Sequence, residues 1–148
     1  MKSILDKNTC NYKYMEVSQS HSWGNWKDTL DDILVYCLGE GDYKLVVNAS
    51  NIDKDFRWMD GQRFGDVVLK DASAELCILS LQGPRAVDVA RNVMDLDPAL
   101  EGTYKAGRAL VNGIPTLFSR TGYTGEDGFE FYPENRHAPA LWAKLLEA

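Results

Sequence analysis

The chain has 148 residues, 45% of them hydrophobic, which is typical of one soluble globular domain. Its formal net charge of −6 argues against a nucleic-acid backbone or an anionic membrane surface as the main partner, because both attract basic patches. The apolar runs are too short to cross a bilayer, and the amino terminus lacks the apolar core of a signal peptide. We therefore expect a cytoplasmic protein with no nucleic-acid or membrane partner.

The first half of the chain contains one predicted hairpin and one predicted helix. Residues 1–28 show no sustained periodicity and form an atypical leader, so the predicted domain covers residues 29–148. Two apolar runs, 33–38 and 43–48, flank a glycine-containing turn and predict a strand pair. Ser50 or Asn51 is then positioned to cap a helix that ends at Gly61. A short strand is expected around residues 67–69.

The second half contains more elements. An apolar strand at 76–81 ends before Gly83-Pro84, and the proline suits the first turn of a helix that extends to Met94. Residues 107–112 and 115–120 are predicted to pair across Asn112-Gly113, a strong hairpin signal. A strand at 128–132 follows, and Asn135 is expected to cap the last helix.

Strand, turn, strand and helix thus occur twice, in residues 32–59 and 109–148. This pattern predicts an α+β fold with antiparallel sheets, helices packed on one face and two similar halves. The first half lacks the strand and helix that precede the second. We therefore expect part of a larger fold, whose exposed strand edges a companion chain or a homo-oligomer would cover.

The glycine-rich loop at residues 120–130 is the most informative segment. It holds three glycines and three acidic residues around Tyr123. Glycine permits tight bends and close backbone approach, so the loop is either a hairpin turn or a segment that contacts a flat ligand. The residues alone leave both interpretations open.

Other candidate sites also have two interpretations. Asp31-Asp32 is either a solvated turn or supplies a carboxylate at the mouth of a pocket. The segment 48–55 provides either helix caps or amides that recognise a heterocycle. Three tyrosines are either structural aromatics or ligand-stacking residues: Tyr36, Tyr104 and Tyr123. His21 and His137 have no nearby acid or cysteine in a metal-binding or triad pattern, so no metal site is predicted.

Four separated motifs together resemble the aminomethyltransferase (T-protein) family of the glycine cleavage system. Their order and spacing match over about residues 29–148, and Thr121-Gly122-Tyr123 favours this branch over other folate-binding relatives. The motifs are Asp31-Asp32 with Leu34-Val35-Tyr36, residues 46–51 with Lys54-Asp55, Leu81-Gln82-Gly83-Pro84, and residues 120–130.

The resemblance implies transfer of an aminomethyl group from the lipoyl arm of a carrier, the H-protein, to tetrahydrofolate with release of ammonia. It implies that Asp32 is catalytic, lying near the reacting nitrogens of the folate, and that Glu130 accepts hydrogen bonds from the pterin. The other folate-binding positions that it implies are Tyr36, Asn48, Tyr104 and Tyr123.

The chain also departs from the family pattern. Lys27-Asp28 stands where the family has two glycines, and the chain stops before the family's folate-contacting arginine segment and its carboxyl-terminal barrel. We therefore expect the isolated chain to be weakly active or inactive. Three classes stay open: an enzyme fragment, a non-catalytic folate-binding module, and an inactive fragment.

Overall fold

The protein is described by a computed structural model for residues 33–98, 102, 104–122 and 124–148. The chain divides into two compact units, of which the first ends at Asp71 and the second comprises Ala72–Ala148. All strand pairs in both units are antiparallel among the described residues, and helices accompany them. The predicted α+β class is confirmed. No helix in this part of the chain has the length and apolar character needed to cross a membrane.

The first unit contains the predicted hairpin and helix. Strand β1 (Leu34–Gly39) pairs with β2 (Asp42–Val46), and a 3-10 turn at Ala49–Asn51 leads into helix α1 (Ile52–Gly61). Asn51 occupies the N-cap position of α1, but its side chain makes no capping hydrogen bond. The predicted cap bond is therefore wrong. The backbone itself forms the turn, because the Asn51 N–H donates to the Asn48 carbonyl at 2.9 Å.

The strand expected around residues 67–69 is absent from the structure, where these residues have no regular conformation. Val67 and Val68 are 46% and 88% exposed, and no described strand pairs with them. β-branched residues favour a strand only when a neighbouring strand and a packed surface are available. The sequence prediction fails here because it considered composition without a partner.

The second unit is a four-stranded sheet with two helices. Its strands are β3 (Leu79–Gln82), β4 (Ala106–Val111), β5 (Ile114–Ser119) and β6 (Gly128–Tyr132), in the spatial order β3-β6-β5-β4. Helix α2 (Ala86–Val93) follows β3, and α3 (Ala138–Glu147) follows β6.

The predicted turn between β4 and β5 is confirmed. Asn112 and Gly113 have φ values of 51° and 77°, as a two-residue type I′ hairpin turn requires. Two other predictions are less accurate. Leu76 forms only an isolated bridge with Glu134, so β3 begins at Leu79. The Asn135 side chain donates to the Ala74 carbonyl at 2.8 Å instead of capping the last helix.

The core of the second unit lies between the helices and one face of the sheet. Strand β6 contributes Phe129 and Phe131, which are both fully buried. The remaining buried members come from both helices and from β4 and β5: Ala86, Ala90, Met94, Ala109, Val111, Phe118 and Leu141. Removal of this apolar surface from water is the main stabilising contribution to the unit.

Replacement of Phe131 by Ala should lower the free energy of unfolding by about 3–5 kcal/mol, because it leaves a cavity in a fully buried position. Phe64→Ala is the matched control. Phe64 is 56% exposed, so its truncation should change stability by about 0.5 kcal/mol or less. Urea denaturation monitored by circular dichroism measures both. Equal effects of the two substitutions would contradict this core assignment.

Asp55 is an unusual feature of α1, because its side chain is fully buried and neither carboxylate oxygen has a hydrogen-bond partner in the described part of the chain. Among the described residues, the nearest cation is Lys54 Nζ, 3.8 Å from Oδ1. A negative charge in the first turn of a helix gains about 0.3–1 kcal/mol from the helix dipole. A buried carboxylate that lacks hydrogen bonds costs several kcal/mol of stability. This cost exceeds the gain from the helix dipole.

Replacement of Asp55 by Asn should therefore raise the free energy of unfolding by about 1 kcal/mol or more, since it removes the charge while keeping the shape. Asp53→Asn serves as the control, because Asp53 is exposed in the same first turn and should change stability by less than about 0.5 kcal/mol. The midpoints of thermal unfolding at neutral pH compare the two variants with the unaltered chain. A lower midpoint for Asp55→Asn would show that the carboxylate has a stabilising partner.

Candidate functional site

Strand β6 carries the carboxylate of the candidate site. Side chains alternate between the two faces of a strand. Phe129 and Phe131 face the helices, so Glu130 and Tyr132 lie on the opposite face. Glu130 is nevertheless only 6% exposed. Its neighbours in register are Ser80 on β3 and Ser119 on β5. The sheet therefore holds a buried carboxylate beside short polar side chains.

Three hydroxyl groups surround this carboxylate. Thr121 Oγ1 donates to Glu130 Oε2 at 2.5 Å, and Tyr132 Oη donates to the same oxygen at 3.1 Å. Ser119 Oγ lies 2.8 Å from Thr121 Oγ1 and 3.1 Å from Tyr132 Oη. We call these three residues, Ser119, Thr121 and Tyr132, the hydroxyl cluster. All three are buried.

The proton count fixes the direction of these hydrogen bonds. Each hydroxyl has one proton, and Thr121 and Tyr132 both use theirs on Glu130. If Ser119 donates within the cluster, its single proton serves the oxygen of Thr121 or that of Tyr132 at any one time. The cluster consequently presents its donors to one oxygen of Glu130. A buried carboxylate needs such donors, because leaving it unpaired is unfavourable.

The second carboxylate oxygen is arranged differently. Glu130 Oε1 accepts no hydrogen bond from any described residue, since both donors of the hydroxyl cluster bind Oε2. An ionised carboxylate has about four acceptor positions on its two oxygens. Oε1 is therefore suited to accept N–H groups from a ligand, in an orientation that the bonds to Oε2 hold in place.

A small cleft lies along the glycine-rich loop. Its volume is about 180 Å³. Its lining residues are Tyr104, Arg120, Thr121, Gly122, Gly125, Glu126, Asp127 and Gly128. Thr121 connects the cleft to Glu130, because it both lines the cleft and donates to the carboxylate. Glu130 itself does not line the cleft, so the cleft and the carboxylate are connected through Thr121.

An ion pair closes the base of the loop. Arg120 Nη2 lies 2.8 Å from Asp127 Oδ1, and the guanidinium carbon is 5.7 Å from the centroid of the Phe129 ring. The Arg120 side chain is 15% exposed, so solvent screens its side of the pair less than at an open surface. These contacts hold the two ends of the loop together.

Two of the predicted site residues, Glu130 and Tyr104, are among the described residues of the second unit. Glu130 is the buried carboxylate described above. Tyr104 is 70% exposed, has a φ of 63° and donates its backbone N–H to the Arg120 carbonyl at 2.9 Å. Its ring therefore lies at the surface, beside the cleft. Thr121 lines the same cleft as Tyr104 and donates to Glu130.

The other predicted site residues lie elsewhere. Tyr36 is on β1 and only 5% exposed. Asn48 is exposed directly before the 3-10 turn, where its side chain makes no capping bond. Asp32 and Tyr123 lie outside the described residues, as do residues 1–28.

Our sequence reasoning missed Ser119 and Tyr132 as members of the site. The alternation along β6 could have identified Tyr132, because it lies two residues from Glu130 on the same face. Identification of Ser119 required the strand order β3-β6-β5-β4, which brings Ser119 opposite Glu130. Periodicity alone does not reveal which strands are neighbours.

Two observations concern a thiol and the potential metal ligands of the described residues. Burial raises the pKa of the Cys77 thiol, and a backbone hydrogen bond partly opposes this effect. Cys77 therefore stays protonated at neutral pH and is a poor nucleophile. No group of three or more potential ligands from His, Cys, Asp and Glu could hold a metal ion in this part of the chain.

Comparison with known proteins agrees with the motifs. Residues 7–148 match the GCVT N-terminal domain family. The chain is 50% identical over 121 residues to the aminomethyltransferase of Geobacillus kaustophilus and 48% identical over 120 residues to that of Bacillus cereus (strain G9842). These alignments include 81% and 80% of the chain but 33% of each relative. The chain thus spans about a third of the length of these relatives.

A solved structure shares the fold. It is the heterotetrameric sarcosine oxidase from Corynebacterium sp. U-96 in complex with pyrrole 2-carboxylate, which aligns with a TM-score of 0.64 and 24% identity. The alignment covers 80% of this chain and 60% of that chain. The family match, which covers residues 7–148, establishes that the chain belongs to the GCVT N-terminal domain family.

Proposed function

We propose that this chain provides the folate-binding part of an aminomethyltransferase of glycine cleavage. The observation that carries the proposal is the buried Glu130 carboxylate, whose Oε2 is held by the hydroxyl cluster while Oε1 accepts no bond from the described residues. A pterin has N–H donors along its aminopyrimidine edge. A fixed carboxylate oxygen is the complement of such an edge, because charged acceptors form the strongest hydrogen bonds to N–H groups.

The proposed reaction transfers one carbon. The methylene carbon of the aminomethyl group loses its bonds to the lipoyl sulfur and to the amino nitrogen, and forms bonds to two nitrogens of tetrahydrofolate. One hydrogen from these nitrogens goes to the sulfur, giving the dihydrolipoyl thiol. The other goes to the amino nitrogen, which leaves as ammonia. No oxidant or reductant is needed.

Separate roles follow for the predicted residues. Asp32 is proposed as the catalytic carboxylate, which accepts a hydrogen bond near the reacting folate nitrogens and stabilises developing positive charge. Glu130 is proposed to bind the pterin. Tyr36, Asn48, Tyr104 and Tyr123 are proposed to complete the folate pocket, with the tyrosines as flat walls.

The proposal also includes partners and location. The lipoylated H-protein would deliver the aminomethyl group, in the cytoplasm. The cleft of about 180 Å³ is smaller than the roughly 300–1,000 Å³ of a typical ligand site. The second unit would therefore form one edge of the pocket. A companion chain or a second copy would contribute further parts of the pocket, in addition to the residues named above.

Replacement of Glu130 by Gln should weaken tetrahydrofolate binding about tenfold or more, because it replaces a charged acceptor by a weaker one and disturbs the bonds to Oε2. Isothermal titration calorimetry of the chain with tetrahydrofolate measures the change. Glu134→Gln is the control, since Glu134 is exposed and pairs only with Arg136 among the described residues. Equal affinities of all three proteins would contradict the role of Glu130.

Replacement of Asp32 by Ala should abolish formation of methylene-tetrahydrofolate and change the tetrahydrofolate Kd less than about threefold, because the proposed role is in the reaction step. A coupled assay with aminomethylated carrier measures turnover, and calorimetry measures binding. Equal turnover of the variant and the unaltered chain would refute the role of Asp32. If the unaltered chain binds tetrahydrofolate but has no turnover, the result favours the alternative function of a non-catalytic folate-binding module. If it neither binds nor turns over, an inactive fragment is favoured.

A further inference from the structure

The side chain of Gln82 joins β3 to the glycine-rich loop. Its Nε2 donates to the Thr121 carbonyl at 3.2 Å and to Ser80 Oγ at 3.0 Å. Gln82 Oε1 is buried and has no hydrogen-bond partner among the described residues. Gln82 belongs to the motif Leu81-Gln82-Gly83-Pro84, which has no role in the reaction proposed above.

The Thr121 contact fixes the orientation of the amide. A backbone carbonyl can only accept a hydrogen bond, so the NH₂ group of Gln82 must face Thr121. Oε1 then points towards the backbone of the loop. A buried acceptor without a hydrogen-bond partner is unfavourable, so the contacts made by Nε2 must stabilise this orientation. The bonds from Nε2 to the Thr121 carbonyl and to Ser80 Oγ together orient this side chain.

Two glycines make room for the amide. A Cβ atom at Gly122 would lie 2.0 Å from Gln82 Oε1, and one at Gly128 would lie 2.1 Å from the same atom. Neither glycine is among the residues with positive φ, so backbone conformation does not require glycine at these positions. Gly128 is also the residue directly opposite Gln82 in the pairing of β3 with β6. The space these glycines leave is occupied by Gln82.

Thr121 connects this amide to the candidate site. Its carbonyl accepts from Gln82, and its hydroxyl donates to Glu130 Oε2. Thr121 is only 5% exposed, and the Arg120–Asp127 ion pair holds the loop beside it. A shift of the Thr121 backbone would therefore move the hydroxyl that holds the carboxylate.

We propose that Gln82 is a positioning residue for the candidate site, acting through Thr121 on the Glu130 carboxylate, and that Gly122 and Gly128 are glycine in order to admit its amide. The identity of the ligand, tetrahydrofolate, rests on the proposed function. The coupling between Gln82 and Glu130 is independent of that function and can be measured without any ligand.

The first test is an NMR measurement on the ligand-free chain. Gln82→Glu keeps the size of the side chain but places an acceptor against the Thr121 carbonyl, so Thr121 should move and the side-chain carboxyl ¹³C resonance of Glu130 should shift. The control is Gln62→Glu, the same substitution at the end of α1, which should leave this resonance in place. An unchanged Glu130 resonance in Gln82→Glu would overturn the proposal, whether or not the chain binds folate.

The second test measures tetrahydrofolate binding by calorimetry. Gln82→Glu should raise the Kd about 3- to 10-fold, as expected for loss of one orienting hydrogen bond. The same substitution should have no further effect on Kd in a Glu130→Gln background, because it acts through that carboxylate. An equal loss of affinity in both backgrounds would overturn the proposal in favour of a general structural effect. Failure of the unaltered chain to bind would refute the proposed function, leaving the NMR result to decide the coupling.

The third test concerns the glycines. Gly122→Ala should push the amide away from Thr121 and shift the Glu130 resonance in the same direction as Gln82→Ala. The double variant Gln82→Ala with Gly122→Ala should resemble Gln82→Ala alone, because the clash is then absent. An additive effect of the two substitutions would show that glycine is required at 122 for a reason unrelated to Gln82, and would refute this part of the proposal.

Discussion

The alternation of side chains along β6 is the constraint on which the second unit depends. All five residues of this strand are buried, so both of its faces must be packed. The helix-facing side is satisfied by apolar contacts of Phe129 and Phe131. The opposite side carries Glu130, which must find hydrogen-bond donors, because an unpaired buried carboxylate would reduce stability by several kcal/mol. The hydroxyl cluster supplies them.

Stability and the candidate function are therefore connected in this strand. The phenylalanines hold β6 in register, and the register brings Ser119 and Ser80 beside Glu130. Thr121 and Tyr132 of the hydroxyl cluster bind one carboxylate oxygen, and the other accepts no hydrogen bond from the described residues. A loss of the apolar core would therefore also disorder the carboxylate. A site built on a central strand is held more rigidly than one on a loop.

The glycines of the glycine-rich loop meet two different packing and backbone requirements. Among its three glycines, Gly125 has a φ of 78°, which other residues adopt with difficulty. Gly122 and Gly128 are needed for another reason, because their missing side chains leave space for the amide of Gln82. Glycines in one motif thus serve two physical purposes, a bend in the backbone and the close approach of a neighbouring side chain.

The sequence by itself determined the elements and the family. Apolar periodicity predicted the hairpin and the helix of the first unit and the two helices and four strands of the second, with the start of β3 placed too early. The Asn112-Gly113 pair predicted the turn. These features depend mainly on neighbouring residues. The spacing of four motifs identified the family and singled out Glu130. Only the tertiary structure decided that residues 67–69 are not a strand, that Ser119 and Tyr132 surround the carboxylate, and that Gln82 contacts Thr121. These features depend on which strands are neighbours and on the space between them, which local sequence does not encode.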